Sequence, residues 1–112
     1  NVYDNANELA KAMRESHEYK KLKEAAVVLE KDPDAKKMVN EYLMVAQEVE
    51  FAKHQGKTPE QASVDKMQKL QGTLNLNADA VQYLNALIRF QMMLMDVTNT
   101  IQDVVKEAMG EK

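Results

Sequence analysis

The stretch that decides the fold is Ala78–Met109, whose sequence is ADAVQYLNALIRFQMMLMDVTNTIQDVVKEAM. Its apolar residues recur at three- and four-residue intervals, which predicts one long α-helix with a heptad pattern. Further apolar side chains widen the pattern until most of the circumference is apolar. The polar residues leave a single stripe, interrupted by Met92: Gln82, Asn85, Arg89, Asp96, Asn99, Asp103 and Lys106. Such a helix is predicted to be central to the fold.

The length of this helix predicts self-association. Its 32 residues would form a rod of about 48 Å, whereas a compact chain of 112 residues is about 34 Å across. An apolar rod that extends beyond its own globule needs cover from another chain, so we expect a homodimer or higher homo-oligomer. Met92 is the candidate for an exposed contact with a partner. The predicted oligomer interface consists of Leu84, Leu87, Ile88, Leu94, Met95, Ile101 and Val105.

Helix-capping residues divide the rest of the chain. Asp4 and Ser16 are predicted to cap the first two helices, and Asp32 before Pro33 is a strong start for the third. Thr58 and Gln61 match a capping box for the fourth. The predicted helices span residues 4–15, 17–31, 33–55, 59–74 and 78–109.

Two further residues mark helix ends. Gly56 stands where a left-handed residue would end the third helix, and Asn77 would cap the fifth. Gly and Pro are scarce, and residues that favour strands are few. The predicted fold is therefore all-α: a single domain of about five helices, in an antiparallel bundle with a long C-terminal helix that dimerises.

Composition excludes several classes of protein. The chain has no cysteine, so disulfides, thiolate metal sites and cysteine nucleophiles are absent, which fits a cytoplasmic location. The net charge is −3 and the lysines are interleaved with acids, so no direct binding to nucleic acid is expected. No stretch is long enough to span a membrane, and no signal peptide is visible.

Residues that could carry out chemistry are few and scattered. His17 and His54 lie on different predicted helices, and Glu50 with His54 supplies two ligands at most, fewer than a metal site needs. Asp96 and Asp103 lie two turns apart on the polar stripe, where solvated charge is the expected role. The pattern therefore predicts a protein that is not an enzyme and has no cofactor.

The order of these signals resembles the YlbF/YmcA-like family of small helical bacterial proteins, and within it the YheA-like subgroup of unassigned function. The resemblance implies a dimer-forming cytosolic protein with no catalytic residues. Better-studied relatives are regulators that assemble with one another and influence ribonuclease-dependent mRNA maturation, and through it competence, sporulation and biofilm formation. Some relatives hold an iron–sulfur cluster through cysteines, which this chain lacks. The segments that carry the resemblance are NVYDNANELAKAM (1–13), SHEYKKLKEA (16–25), DPDAKKMVNEY (32–42), GKTPEQ (56–61) and LQGTLNLNADAVQYLNALIRFQMMLMDV (70–97).

Two functional hypotheses follow. The first is a non-enzymatic, oligomeric interaction or regulatory protein, an adaptor that binds other helical regulatory proteins through helix-to-helix contacts. The second is a homo-oligomer that holds a small hydrophobic molecule or an unfolded segment in an apolar groove. The cluster of Met92, Met93 and Met95 suits an adaptable groove and equally suits an irregular core.

Overall fold

Five α-helices make up most of the structure, a computed structural model that describes residues 1–111. No strand occurs among these residues. The prediction of an all-α fold with five helices and a long C-terminal helix is confirmed. The helices are α1 (Val2–Arg14), α2 (His17–Glu30), α3 (Pro33–His54), α4 (Gln61–Leu74) and α5 (Ala78–Ala108).

Three helix starts follow the predicted capping residues. The side-chain oxygens of Ser16, Asp32 and Asn77 each accept a hydrogen bond from the backbone amide three residues further on, at 3.2, 3.1 and 3.0 Å. These bonds satisfy amides that have no partner within the first turn of a helix. The sequence therefore located the starts of α2, α3 and α5 through local chemistry alone.

The predicted start of α1 at Asp4 is wrong. Helix α1 begins at Val2, and the Asn1 side chain accepts a hydrogen bond of 3.0 Å from the Asp4 amide. Asn1 offers the same kind of acceptor three residues earlier, and Asp4 takes the place of an acid in the first turn. The apolar spacing of α1 does not show where its first turn begins. The sequence therefore could not decide between Asn1 and Asp4 as the N-cap residue.

The predicted capping box of α4 is also wrong. The helix begins at Gln61 rather than residue 59, and Glu60 precedes it with an extended ψ of 134° and no side-chain capping bond. Pro59 disfavours a helical conformation at Thr58, which therefore lies two residues outside the N-cap position. The Gln61 side chain instead donates to the Asp65 carboxylate at 2.8 Å.

Helix α3 ends at His54, and Gly56 follows as the left-handed residue that the sequence predicted. This residue has a φ of +70°, and the amides of Gly56 and Lys57 donate to the carbonyls of Lys53 and Ala52 at 3.0 and 2.9 Å. The pair of bonds is a Schellman motif, which satisfies carbonyls left free at the helix end.

We expect Gly56→Ala to lower the free energy of unfolding by about 1 kcal/mol, because an L side chain is strained in the left-handed region. A Cβ at Gly56 meets nothing within 4 Å, so backbone strain is the sole cost. The matched control is Gly72→Ala, inside α4 and equally open, which should raise stability by about 0.5–1 kcal/mol. Urea denaturation would measure both changes, and changes of the same sign would contradict this account.

The chain divides into two compact units. The hairpin unit is Ala25–Leu84, and the terminal unit is Asn1–Glu24 together with Asn85–Lys112. Both α2 and α5 contribute residues to each unit.

The hairpin unit contains the core. Helices α3 and α4 pack antiparallel, since Ala52 lies beside Ser63 at one end and Ala35 beside Leu74 at the other. Side chains packed partly buried against this core include Met38, Tyr42, Leu43, Tyr83 and Leu84. The buried residues of this unit are Leu29, Ala35, Val39, Val45, Val49, Leu74 and Ala80.

The terminal unit has no comparable core. None of its residues within 1–111 is buried, although it includes most of the apolar helix α5. It contains an aromatic pair, in which the ring centroids of Tyr19 and Phe90 are 6.3 Å apart and the ring planes are tilted by 53°. Helix α1 leaves Val2 and Tyr3 79% and 80% exposed. This unit therefore displays apolar surface that a folded chain usually covers.

Candidate functional site

The exposed apolar surface of α5 forms two stripes within the terminal unit. We call Leu94, Ile101 and Val105 the heptad stripe, because they follow the seven- and four-residue spacing of a coiled-coil seam. We call Ile88, Met92 and Met95 the methionine stripe. At 3.6 residues per turn, the centres of the two stripes lie about 130° apart around the helix.

Each side chain of the two stripes is about half exposed. The exposed fractions are 45%, 53% and 45% along the heptad stripe and 54%, 55% and 56% along the methionine stripe. On a helix that lies on its own core, one such face would be covered. Two exposed apolar faces on a single helix are therefore a candidate interaction site.

The predicted interface residues have different environments. Leu84 packs partly buried against the core of the hairpin unit, and Leu87 is also partly buried. The remaining five predicted residues, and the candidate contact Met92, belong to the two exposed stripes. That these residues form an oligomer interface stays a prediction.

Polar residues border the methionine stripe. Arg89 and Asp96 are seven residues apart and lie along the same edge of it, and both are exposed. Within residues 1–111 neither of them forms an ion pair, unlike Lys36, which pairs with Glu30. Asn85 and Asn99, both exposed, stand near the two ends of the stripe.

One exposed apolar feature lies outside the sequence prediction. Met44 and Phe51 of α3 are 66% and 65% exposed and are seven residues apart. They fall outside the register of Ala35, Val45 and Val49, whose buried side chains form the inner face of α3. The sequence did contain a signal for this exposed pair, because Met44 and Phe51 are seven residues apart and outside the register of the buried side chains.

An open groove of about 470 Å³ lies between α3 and α4, and Met44 is among the residues that line it. Its lining includes the charged residues Glu41, Glu48 and Lys66, together with Val45, Ala62 and Ser63. No nucleophile paired with a base occurs in this lining, so the groove offers a mixed surface rather than a reaction centre.

The candidate chemical residues do not come together. His17 and His54 are exposed, and the Glu50 carboxylate lies 3.9 Å from the Lys53 ammonium, making an exposed ion pair. Across the described residues no group of three His, Cys, Asp or Glu side chains could hold a metal ion. Asp96 and Asp103 are exposed, as expected for solvated charge.

None of the helices within residues 1–111 combines the length and apolar character that crossing a membrane requires.

Known proteins share this architecture. The structure of Bacillus subtilis RicA in complex with RicF has a similar fold, with a TM-score of 0.61, 21% sequence identity and coverage of 96% of each chain. The fold therefore places this chain in the class of small all-α proteins with a long C-terminal helix.

Sequence comparison identifies the family within this class. A family model described as "Control of competence regulator ComK, YlbF/YmcA" matches residues 2–106. A UPF0342 protein of Caldicellulosiruptor saccharolyticus is 36% identical over 112 residues, which are all of this chain and 90% of the relative. A UPF0342 protein of Streptococcus sanguinis is 32% identical, with 96% of both chains covered. The chain belongs to the YlbF/YmcA family, as the resemblance indicated; its place in the YheA-like subgroup stays a prediction.

Proposed function

We propose that this protein is a non-enzymatic regulatory adaptor that binds other helical proteins through the heptad stripe of α5. The observation that carries the proposal is the exposure of Leu94, Ile101 and Val105 in a unit that has no buried residue within 1–111. An apolar seam with coiled-coil spacing is suited to receive an amphipathic helix.

Energetics indicate how large the contact must be. Fully burying an aliphatic side chain contributes about 1.5–3 kcal/mol, so covering three half-exposed ones contributes about 3 kcal/mol. A micromolar complex needs about 8 kcal/mol, before the cost of association is counted. The heptad stripe is therefore the centre of a larger surface, for which Val104 and Met109, 62% and 69% exposed, are the nearest apolar extensions.

Family membership supports a regulatory role. The family is described by its control of the competence regulator ComK, and the similar fold of RicA is known in a complex with RicF. We infer that this chain assembles with proteins of its own family and that its target process is ribonuclease-dependent mRNA maturation, as the resemblance implies. The separated, exposed histidines favour surface binding over catalysis.

The test is a tagged pull-down from nuclease-treated lysate of the organism that makes the protein, using the native chain and Leu94→Glu. A buried charge at this position would strongly weaken a helix-to-helix contact. We expect the native chain to recover YlbF/YmcA-family proteins or a ribonuclease, and Leu94→Glu to lose them while its circular dichroism stays helical. Thr100→Glu is the control, because it adds the same charge about 120° from the heptad stripe.

Two outcomes would refute the adaptor function. One is recovery of the same partners by a folded Leu94→Glu variant. The other is a native chain that recovers itself and no other protein, which would favour the ligand-holding homo-oligomer. Native mass spectrometry of the purified protein would then detect the bound molecule.

A further inference from the structure

We propose that the groove between α3 and α4 is a docking site for a cationic amphipathic helix of a partner protein. We call it the hairpin groove, because its lining residues, within 41–52 and 59–66, all belong to the hairpin unit. The adaptor function uses the heptad stripe of the terminal unit, so this inference adds a second binding surface with a different chemistry.

The hairpin groove extends beyond the cavity of about 470 Å³ that Met44 lines. A second open cavity of about 240 Å³ adjoins it, and Glu48 and Ser63 line both. Along α3 the two linings extend from Glu41 to Ala52, a rise of about 16 Å, or three helical turns. Two antiparallel helices with an open groove of this length between them offer a surface on which a third helix packs.

Apolar side chains supply much of the lining. Val45 and Val49 are buried and line the groove together with Ala52 and Ala62. Met44 also lines it and is 66% exposed, and its flexible thioether can adapt to the shape of a partner side chain. The hairpin groove therefore offers a partner an apolar contact, with Met44 as its most exposed large apolar side chain.

Negative charge predominates among the ionisable residues of the lining. Glu41, Glu48 and Glu60 contribute three carboxylates, against the single ammonium of Lys66. Within residues 1–111 none of the three carboxylates forms an ion pair. Glu60 stands at the N-cap position of α4, yet its side chain makes no capping hydrogen bond. The carboxylates are therefore free to pair with cations of another molecule.

The spacing of the carboxylates selects the occupant. Glu41 and Glu48 are seven residues apart on the same side of α3, about 10.5 Å along the helix. On a helix packed along α3, two Lys or Arg residues seven positions apart have the same separation, and an apolar residue between them faces Met44 and Val45. The occupant that matches both the charge and the apolar contact is a helix with basic residues one heptad apart.

Other occupants match the hairpin groove less well. An acidic or wholly apolar helix would cover the carboxylates without supplying a cation, and taking a charge out of water without a partner is costly. Nucleic acid would bring phosphates to a surface with excess negative charge. The charges therefore favour a cationic helix over both.

The size of the hairpin groove indicates weak binding. Three turns of contact bury less than the about 800 Å² per partner of a standard interface. We expect a dissociation constant of about 10–100 μM at low salt. Binding should weaken at least about threefold in about 0.5 M salt, because exposed charge pairs are screened.

The test uses two synthetic helical peptides of about 20 residues, a length at which an alanine-rich sequence forms helix in water. The basic peptide carries two lysines seven positions apart with leucine between them, and the acidic peptide has glutamate in place of both lysines. Fluorescence anisotropy of the labelled peptides measures their binding to the full chain. We expect the basic peptide to bind at least about tenfold more tightly than the acidic one.

Single charge substitutions locate the bound peptide. Glu48→Lys should weaken binding of the basic peptide at least about fivefold, because it replaces an attractive charge pair with a repulsive one. Glu50→Lys is the matched control, since it makes the same change of charge on the same helix about 160° away from Glu48. We expect the control to change the affinity less than about twofold. Equal weakening by the two variants would show attraction to net charge alone and would overturn the proposal.

Two further variants test the contact itself. The combination of Glu41→Lys and Glu48→Lys should reverse the preference, so that the acidic peptide binds more tightly than the basic one. Met44→Ala should weaken binding of the basic peptide at least about threefold, through the loss of apolar contact. Three results would each refute the docking site: no reversal in a double variant that stays helical by circular dichroism, no effect of Met44→Ala, or no binding of the basic peptide up to about 1 mM.

Failure of this proposal is separable from failure of the adaptor function. Leu94→Glu leaves the hairpin groove unchanged, so this variant should bind the basic peptide as the native chain does. If the native chain recovers partners through Leu94 but does not bind the basic peptide, the docking site alone fails. If the basic peptide binds in a manner that depends on Glu48 while the chain recovers no partner through Leu94, the adaptor function alone fails.

Discussion

Leu74→Ala is expected to lower the free energy of unfolding by about 2–5 kcal/mol, because it truncates a fully buried core side chain. Leu74 is 2% exposed and packs in the hairpin unit with Leu29, Val39 and Ala80. Removal of its branched end loses the transfer free energy and leaves a cavity between helices that cannot fully collapse. Urea denaturation followed by circular dichroism would measure the change.

Leu76→Ala is the matched control for this truncation. It removes the same atoms two residues further along, where the side chain is 88% exposed. We expect a change within about 0.5 kcal/mol, as for surface substitutions in general. A small domain is stable by about 5–15 kcal/mol, so a loss of the size expected for Leu74→Ala is readily measured. Equal losses of stability for the two variants would contradict the core described for the hairpin unit.

Asp32→Ala is expected to cost about 2–3 kcal/mol, because one carboxylate supports two helix starts. Its Oδ1 accepts from the Ala35 amide at 3.1 Å and so caps α3. Its Oδ2 accepts from the Asn77 side chain at 3.2 Å, and Asn77 itself caps α5. Alanine removes the cap and leaves a part-buried amide donor without its acceptor. Urea denaturation of the variant would give the size of the loss.

Asp34→Ala separates this bonding from the effect of charge. Asp34 is also an acid in the first turn of α3, is exposed, and makes no side-chain hydrogen bond within residues 1–111. Its loss should cost about 0.3–1 kcal/mol, through the helix dipole alone. If Asp34→Ala proves as destabilising as Asp32→Ala, the link between the two helix starts contributes nothing.

Helix starts were predictable from the sequence wherever a single capping residue stood alone. Ser16, Asp32 and Asn77 act within three residues of their own position, so the chain near them contains all the information needed. The same reasoning failed at Asp4, where Asn1 competed, and at Thr58, where Pro59 moved the start of the helix. Both errors lie in the first turn, and neither changed the number of helices.

The sequence by itself determined an all-α chain of five helices and the apolar character of α5, because capping and helical periodicity act over a few residues. The tertiary structure decided which apolar residues are covered. Ala80 is buried while Ile88, on the same helix, is 54% exposed, and Met44 is exposed while Val45 beside it is buried. Burial depends on which distant segment packs against a position, and the hairpin of α3 and α4 supplies that cover to the residues around Leu74 and Ala80. No segment within residues 1–111 gives the same cover to the two stripes of α5, whose side chains are about half exposed.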